Sequence, residues 1–225
     1  MLEAKLVTWD GLSFSLMSEF IENPQANPTR QDCELNAFHR LAERLKKRFP
    51  RLPICLSLDG LFACGPVFLR CRDYNWRFVI VLKEGDLPSI YHEFVGLAKL
   101  QPDEKLKERI LKPLEIKRSF RWVNAIEYCD SKGQEHLLNV IELHETKSAD
   151  GNPQTTRFMW VSDLEINQGN ARAVAQNAGR DRWKIENRIY LAHTEASLLS
   201  ISTVTTTRPP KSSTSSCRWR ISSFN

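Results

Sequence analysis

Two short apolar runs separated by a helix-length spacer constrain this chain more than any other feature. Leu52-Pro-Ile-Cys-Leu-Ser-Leu58 and Trp76-Arg-Phe-Val-Ile-Val-Leu82 are strand-length and nearly free of polar residues, as strands covered on both faces must be. Pro53 is tolerable near the start of the first run. Between the runs, Pro66–Asn75 reads as a short helix. Before them, Gln31–Phe49 places Leu35, Phe38, Leu41, Ala42 and Leu45 at helical spacing, with Arg40, Glu43, Arg44, Lys46 and Lys47 on the other face and Pro50 as the stop. The order helix, strand, helix, strand implies parallel pairing through right-handed crossovers, hence an α/β core.

The flanks have a different texture. Leu2–Thr8 and Leu12–Phe20 read as a hairpin about Asp10-Gly11, followed by a Pro/Asn-rich loop at Glu22–Arg30. Downstream, a charged helix is expected near Pro102–Leu111. Alternation then takes over in Phe120–Cys129, His136–Glu145 and Thr155–Asp163, read as consecutive antiparallel strands with turns at Asp130–Gly133 and Asp150-Gly-Asn-Pro153. This is a β-rich insertion. Asn167–Asn187, with Val174, Ala175, Ala178, Trp183 and Ile185, reads as a further helix, whereas Ser197–Asn225 is crowded with Ser and Thr and has no period, the composition of a disordered tail. Read one base back, codons for Ser213–Phe224 permit Tyr-Gln-Leu-Leu-Gln-Met-Ala-Asp-Phe-Phe-Phe, an amphipathic helix. A frameshift soon after Asn187 is therefore expected, and the parent nucleotide sequence tests it.

Composition narrows the class. The 225 residues, 41% hydrophobic and 26% charged, suit one substantial globular domain with an inserted subdomain. The apolar runs fall far short of the ~20 residues that cross a bilayer, and Met1–Trp9 carries Glu3 and Lys5 rather than a signal sequence. Cys33, Cys55, Cys64, Cys71, Cys129 and Cys217 form no CxxC pair and read as reduced thiols, so a cytoplasmic protein without membrane contact is expected. The net charge of +5 permits a polyanionic partner without requiring one.

Asp59 ends the first apolar strand, at the edge where ligands of open α/β sheets gather. Taken alone, Asp59-Gly60 is as well read as the start of a turn. Longer stretches carry more. Asp32-Cys-Glu-Leu-Asn-Ala-Phe38, Phe49–Ala63, Leu82-Lys-Glu-Gly-Asp-Leu-Pro88 and Gly179-Arg-Asp-Arg-Trp-Lys-Ile-Glu-Asn187 resemble the IS4-type DDE transposases of insertion sequences, over essentially Leu2–Asn187. Arg182 and Glu186 resemble the Arg-x-x-x-Glu core of that group's signature. The resemblance implies an RNase H-like mixed sheet with flanking helices, interrupted between the second and third acidic residues by the β-rich insertion. It makes Asp59 the second aspartate and Glu186 the glutamate, both ligands of Mg²⁺ or Mn²⁺ in two-metal phosphodiester chemistry. Arg182 and Lys184 would contact DNA, the implied partners being the element's terminal inverted repeats and a second copy of the chain.

Three departures accompany the match. Gly179 stands where the signature has a tyrosine, the lysine expected beyond Glu186 has no clear equivalent, and the first aspartate falls before Met1. The expectation is an inactive transposase fragment: residues 1–113 a partial catalytic core, 114–165 the insertion, 166–187 the helix carrying the third acid, and 188–225 a frameshifted tail. A nuclease sharing the same core, or a non-catalytic DNA-binding remnant, are the alternatives. Lys46, Lys47, Arg48 and Arg51 read as a solvated basic face. Trp76, Trp122, Trp160 and Trp183 invite a base-stacking reading, but the three in strand patterns, Trp76, Trp122 and Trp160, read as core packing, and His39, His92 and His144 lack metal-ligand spacing.

Overall fold

The two apolar runs become the parallel centre of a single mixed sheet. In the computed structural model, which describes residues 1–7, 13–21, 33–100, 105–110, 115–149, 152–180 and 198–203, β3 (Cys55–Leu58) and β4 (Arg77–Val81) pair in parallel, with Leu56 opposite Phe78 and Leu58 opposite Ile80. The crossover between them is helix α2 (Gly65–Tyr74), which ends on Asn75 in the left-handed conformation. Asparagine tolerates that conformation better than most residues.

On one flank lies the expected hairpin, β1 (Leu2–Val7) and β2 (Ser13–Glu19), paired antiparallel with a register shift at Ala4/Lys5. Helix α1 (Glu34–Arg48) buries Ala37, Phe38, Leu41, Ala42 and Leu45, the stripe its periodicity predicts. Its polar face is not wholly given to solvent. Arg40 Nε and Arg44 Nη1 donate to the two oxygens of Glu19 at 2.9 and 2.7 Å, tying the helix to the hairpin.

On the other flank the sheet runs on through β8 (Asn152–Ser162), β7 (Glu135–Ala149), β6 (Glu115–Cys129) and β5 (Lys105–Ile110), all antiparallel. Strand β5 corrects one expectation. Lys-Leu-Lys-Glu-Arg-Ile has helix-forming residues, but pairing Leu106 with Phe120 and Ile110 with Ile116 completes the edge of β6, and that tertiary gain overrides local propensity. A helix that the sequence reading passed over, α3 (Pro88–Leu100), buries Ile90, Phe94 and Ala98. A bulge between Val123 and Ile126 leaves Ala125 at a φ of 58°.

The second correction concerns the tail. Leu198–Thr203 is not disordered: it forms β9, antiparallel to β1 and parallel to β3, so among the described residues the sheet has nine strands in the order β2-β1-β9-β3-β4-β8-β7-β6-β5. Without β9 the hairpin and the parallel pair would present facing edges with unmet backbone donors and acceptors, and a strand between them satisfies both. The frameshift reading, at Ser213–Phe224, falls outside the described residues, as do Arg182, Trp183, Lys184 and Glu186.

Helices α1, α2 and α3 share one face of the sheet, over Leu56, Leu58, Phe78, Ile80, Val140 and Val161. The opposite face, carrying Val79, Phe120, Trp122, Ile141, Leu143 and Trp160, is covered by Ile166, Ala171, Val174 and Ala175. The last of these lie on the segment expected to be helical, whose backbone is π-helical over Ala173–Arg180. The fold is therefore α/β, a mixed sheet with helical cover on both faces. Among the described residues, no helix is long and apolar enough to cross a membrane.

Candidate functional site

The chemistry that the sequence points to centres on the carboxyl edge of the parallel pair. Strand β3 is buried from Leu56 to Leu58, so the first residue able to carry a charge is the one that leaves the strand, Asp59. Its Oδ1 accepts a hydrogen bond from Gly60 N at 2.8 Å and caps a 3-10 turn over Gly60–Phe62. The turn-forming role is thus real, and it holds the carboxylate at the strand end.

A second carboxylate shares this corner. Asp86, after β4, accepts from Lys83 N through Oδ2 at 3.0 Å. That oxygen lies so close to Gly60 that a Cβ there would sit 2.2 Å away, with Val81 O at 3.3 Å, which is why position 60 is glycine. Asp86 is not among the residues expected at the site from sequence; its signal is its place just after the neighbouring parallel strand. Among the described residues no three His, Cys, Asp or Glu side chains converge as a metal site. Asp59 and Asp86 alone do not make the ligand set that a two-metal centre needs.

The segment that ends at Arg180 packs on the face of the sheet that carries Trp160. Gly179 is buried, and a Cβ on it would lie 2.4 to 2.8 Å from three ring atoms of Trp160. No side chain fits there, so a tyrosine at this position would displace the indole. Trp160 pairs with Val81, the last residue of β4, which is level with Asp59 one strand further on. Two strand spacings make roughly 10 Å between the level of Asp59 and Trp160.

Charge in the antiparallel half is organised differently. Glu142 of β7 is fully buried beneath Arg121 of β6 and Arg157 of β8, each donating through Nε to one of its oxygens. His144 Nε2 lies 3.1 Å from Glu142 Oε2 without the alignment of a hydrogen bond. Burial alone would raise the Glu142 pKa, but the hydrogen bonds from Arg121 and Arg157, with His144 close by, outweigh it and the carboxyl is held below its ordinary value. Helix α3 closes over the cluster. Arg157 Nη1 donates to the Tyr91 hydroxyl at 2.7 Å, and the Arg121 guanidinium lies 5.9 Å from the Phe94 ring centre.

The remaining singled-out residues fall into place as packing. Trp76, Trp122 and Trp160 are core residues. Lys46, the first of the basic run, donates to the carbonyls of Pro50 and Tyr74, both at 3.0 Å, and so closes the end of α1. The five described cysteines are free thiols, and burial pushes Cys55 up to about 12 and Cys71 further, beyond ready reaction. No protein-family model matches this sequence, and no curated protein matches it either.

Proposed function

We propose that this chain is a fragment of a DDE-type DNA transposase with an RNase H-like core, and that by itself it binds DNA without performing strand transfer. The observation that carries the proposal is that Asp59 leaves the central parallel strand at the level of Trp160, against which Gly179, seven residues before Glu186 in sequence, is packed. The strand order supports the RNase H-like reading. An antiparallel hairpin stands beside a parallel pair, and β9 lies between them, antiparallel to β1 and parallel to β3. The antiparallel strands β6 to β8 fall between Asp59 and Glu186 in sequence, where the resemblance puts the family's insertion.

In the intact family the metal pair would activate the attacking oxygen and stabilise the leaving one. In this chain the resemblance assigns only two of the three acidic positions, Asp59 and Glu186, and the proposal follows from that count. A manganese titration followed by electron paramagnetic resonance tests it without DNA. The expected result is one weak Mn²⁺ site, lost alike in Asp59→Asn and in Glu186→Gln. If either variant leaves the site intact, the two carboxylates do not meet and the transposase reading fails.

A further inference from the structure

We propose that a notch in the amino edge of the sheet, one strand wide and open along β7, receives an extended segment of a protein partner in which basic and apolar residues alternate. The notch exists because β8 stops early. Asn139 of β7 pairs with Ser162, the last residue of β8. Glu135–Leu138 therefore run on for four residues, about 13 Å, with β6 on one side and no strand on the other among the described residues. Strand β4 also runs past the end of β8, with Arg77 and Phe78. The chain that could have filled the gap is drawn out of the sheet instead: Asn124, in the β6 bulge, holds Ile166 through its backbone O and N at 2.7 and 3.0 Å. Between β4 and β7, two strand spacings or roughly 10 Å apart, lies a cleft of about 970 Å³.

The two walls of the notch are finished differently. On β4, side chains from the end of β8 close the backbone: Phe78 N donates to Asp163 Oδ1 at 2.9 Å, and Phe78 O accepts from Ser162 Oγ at 2.6 Å. No side chain among the described residues does the same for β7. Asp130 N donates to Gln134 O, which fixes the phase of the β6–β7 ladder. Gln134, His136 and Leu138 turn their backbone groups to β6, so Glu135 and Leu137 turn theirs into the notch. These donors and acceptors are half of a ladder, and a strand laid beside them completes it, as an added peptide does at an open sheet edge.

Side chains choose the occupant. Phe68 of α2 forms the floor: it stacks on Phe78 at 5.1 Å and meets His136 edge-on at 5.5 Å, so His136 and Leu138 share the helix face of β7. Residues of an added strand that point to this face meet an apolar surface. Those that alternate with them lie beside Glu135 and Leu137, with Glu127 directly opposite Leu137 on β6. Glu127 and Glu135 are exposed, and neither has an ion pair among the described residues. Across the cleft, Arg77 is held by Asp163 at 3.0 Å, while Arg72 has no ion pair among the described residues. Two unpaired carboxylates thus stand against one unpaired cation, and the surplus calls for lysine or arginine on the alternate positions. Leu137, 64% exposed, gives the stem of such a side chain an apolar surface to lie on. The notch opens at the edge of the parallel pair opposite Asp59, so its occupancy is independent of the transposase reading.

The probe is a fluorescein-labelled, amidated peptide, Lys-Val-Lys-Val-Lys-Val, titrated with the full chain and followed by fluorescence anisotropy. Saturable binding below about 1 mM is expected. The block isomer Lys-Lys-Lys-Val-Val-Val should bind at least about tenfold more weakly, because it cannot present basic and apolar residues to alternate faces. Leu137→Pro removes an N–H that faces the notch and takes no part in the β6 ladder, a place where an edge strand tolerates proline. This variant should keep the circular dichroism of the parent chain and lose about tenfold in affinity, close to the worth of one backbone hydrogen bond. Should it fail to fold, Glu127→Lys combined with Glu135→Lys leaves the backbone alone and should reverse the preference, so that Glu-Val-Glu-Val-Glu-Val binds in place of the lysine peptide. Equal affinity for the two isomers overturns the proposal, as does unchanged affinity in a folded Leu137→Pro chain, an unchanged preference in the double variant, or no saturation by about 1 mM. Tighter binding of the glutamate peptide by the parent chain would assign the cleft to an acidic partner through Arg72 and overturn it as well.

Discussion

The parallel pair β3–β4 and the antiparallel ribbon β6–β8 belong to one sheet, yet they handle charge in opposite ways. In the pair, Leu56, Leu58, Phe78, Val79 and Ile80 are buried, and carboxylates appear only after the strands end, at Asp59 and Asp86. In the ribbon, Glu142 and Glu145 are buried within the strands, on opposite faces, each satisfied by cations from neighbouring strands. Parallel strands covered by helices on both sides have no solvent to carry a side chain toward, so a charge has to wait for the edge. A ribbon that extends beyond its cover can hold a carboxylate under long basic side chains whose heads still reach water. The first arrangement concentrates chemistry at a point. The second spreads it over a surface.

Three substitutions test that contrast, beginning with the largest effect. Leu58→Ala should cost about 2–5 kcal/mol in urea unfolding, because its site is sealed between helices and cannot collapse around the lost volume. A loss below about 1 kcal/mol would mean that the parallel centre is not the rigid part of the molecule. Glu142→Gln should cost less, about 1–3 kcal/mol at neutral pH, since Arg121 and Arg157 are partly exposed and can turn to solvent.

The same variant carries a pH signature. The carboxyl pKa of Glu142 is lower in the folded chain than its ordinary 4.5, so its contribution is full above that value and is lost as pH falls through the folded value. Unfolding curves of Glu142→Gln should therefore converge toward those of the parent chain as pH falls below the ordinary 4.5 and through the lower folded value; a constant gap across pH would show that the ion cluster contributes nothing through charge. The smallest effect is expected at the bulge. Ala125→Gly should stabilise by on the order of 0.5 kcal/mol, relief of a left-handed alanine worth about 1–2 kcal/mol offset by about 0.5–1 kcal/mol of glycine entropy. A destabilised variant would show that the alanine methyl is a packing contact.

Much of the fold was legible because its signals are local. The stripe of Phe38, Leu41 and Leu45, the apolar runs at β3 and β4, and the alternation of β6 to β8 each name an element without reference to anything distant. Helix α3 was legible too, through Ile90, Phe94 and Ala98 at four-residue spacing, and was overlooked because its neighbours are short and mixed. Strands β5 and β9 were not legible, since Lys105–Ile110 favours a helix by composition and Leu198–Thr203 sits in a Ser/Thr-rich stretch; only the edges they complete make them strands. The site divides along the same line. Asp59 announces itself by ending an apolar strand. The meeting of Arg121 and Arg157 over Glu142 depends on register across three strands, which no window of sequence contains.

The place of β9 also bears on how the chain reaches its folded state. Leu2 pairs with Thr203, 201 residues along. A ribosome adding roughly 5–20 residues per second leaves the first hairpin waiting for about 10–40 s before its inner neighbour exists. During that interval β1 and β3 both show open edges to solvent. Closure so distant in sequence slows the last step of folding, and a chaperone that shields extended backbone would find its natural client in the nascent, not the finished, molecule.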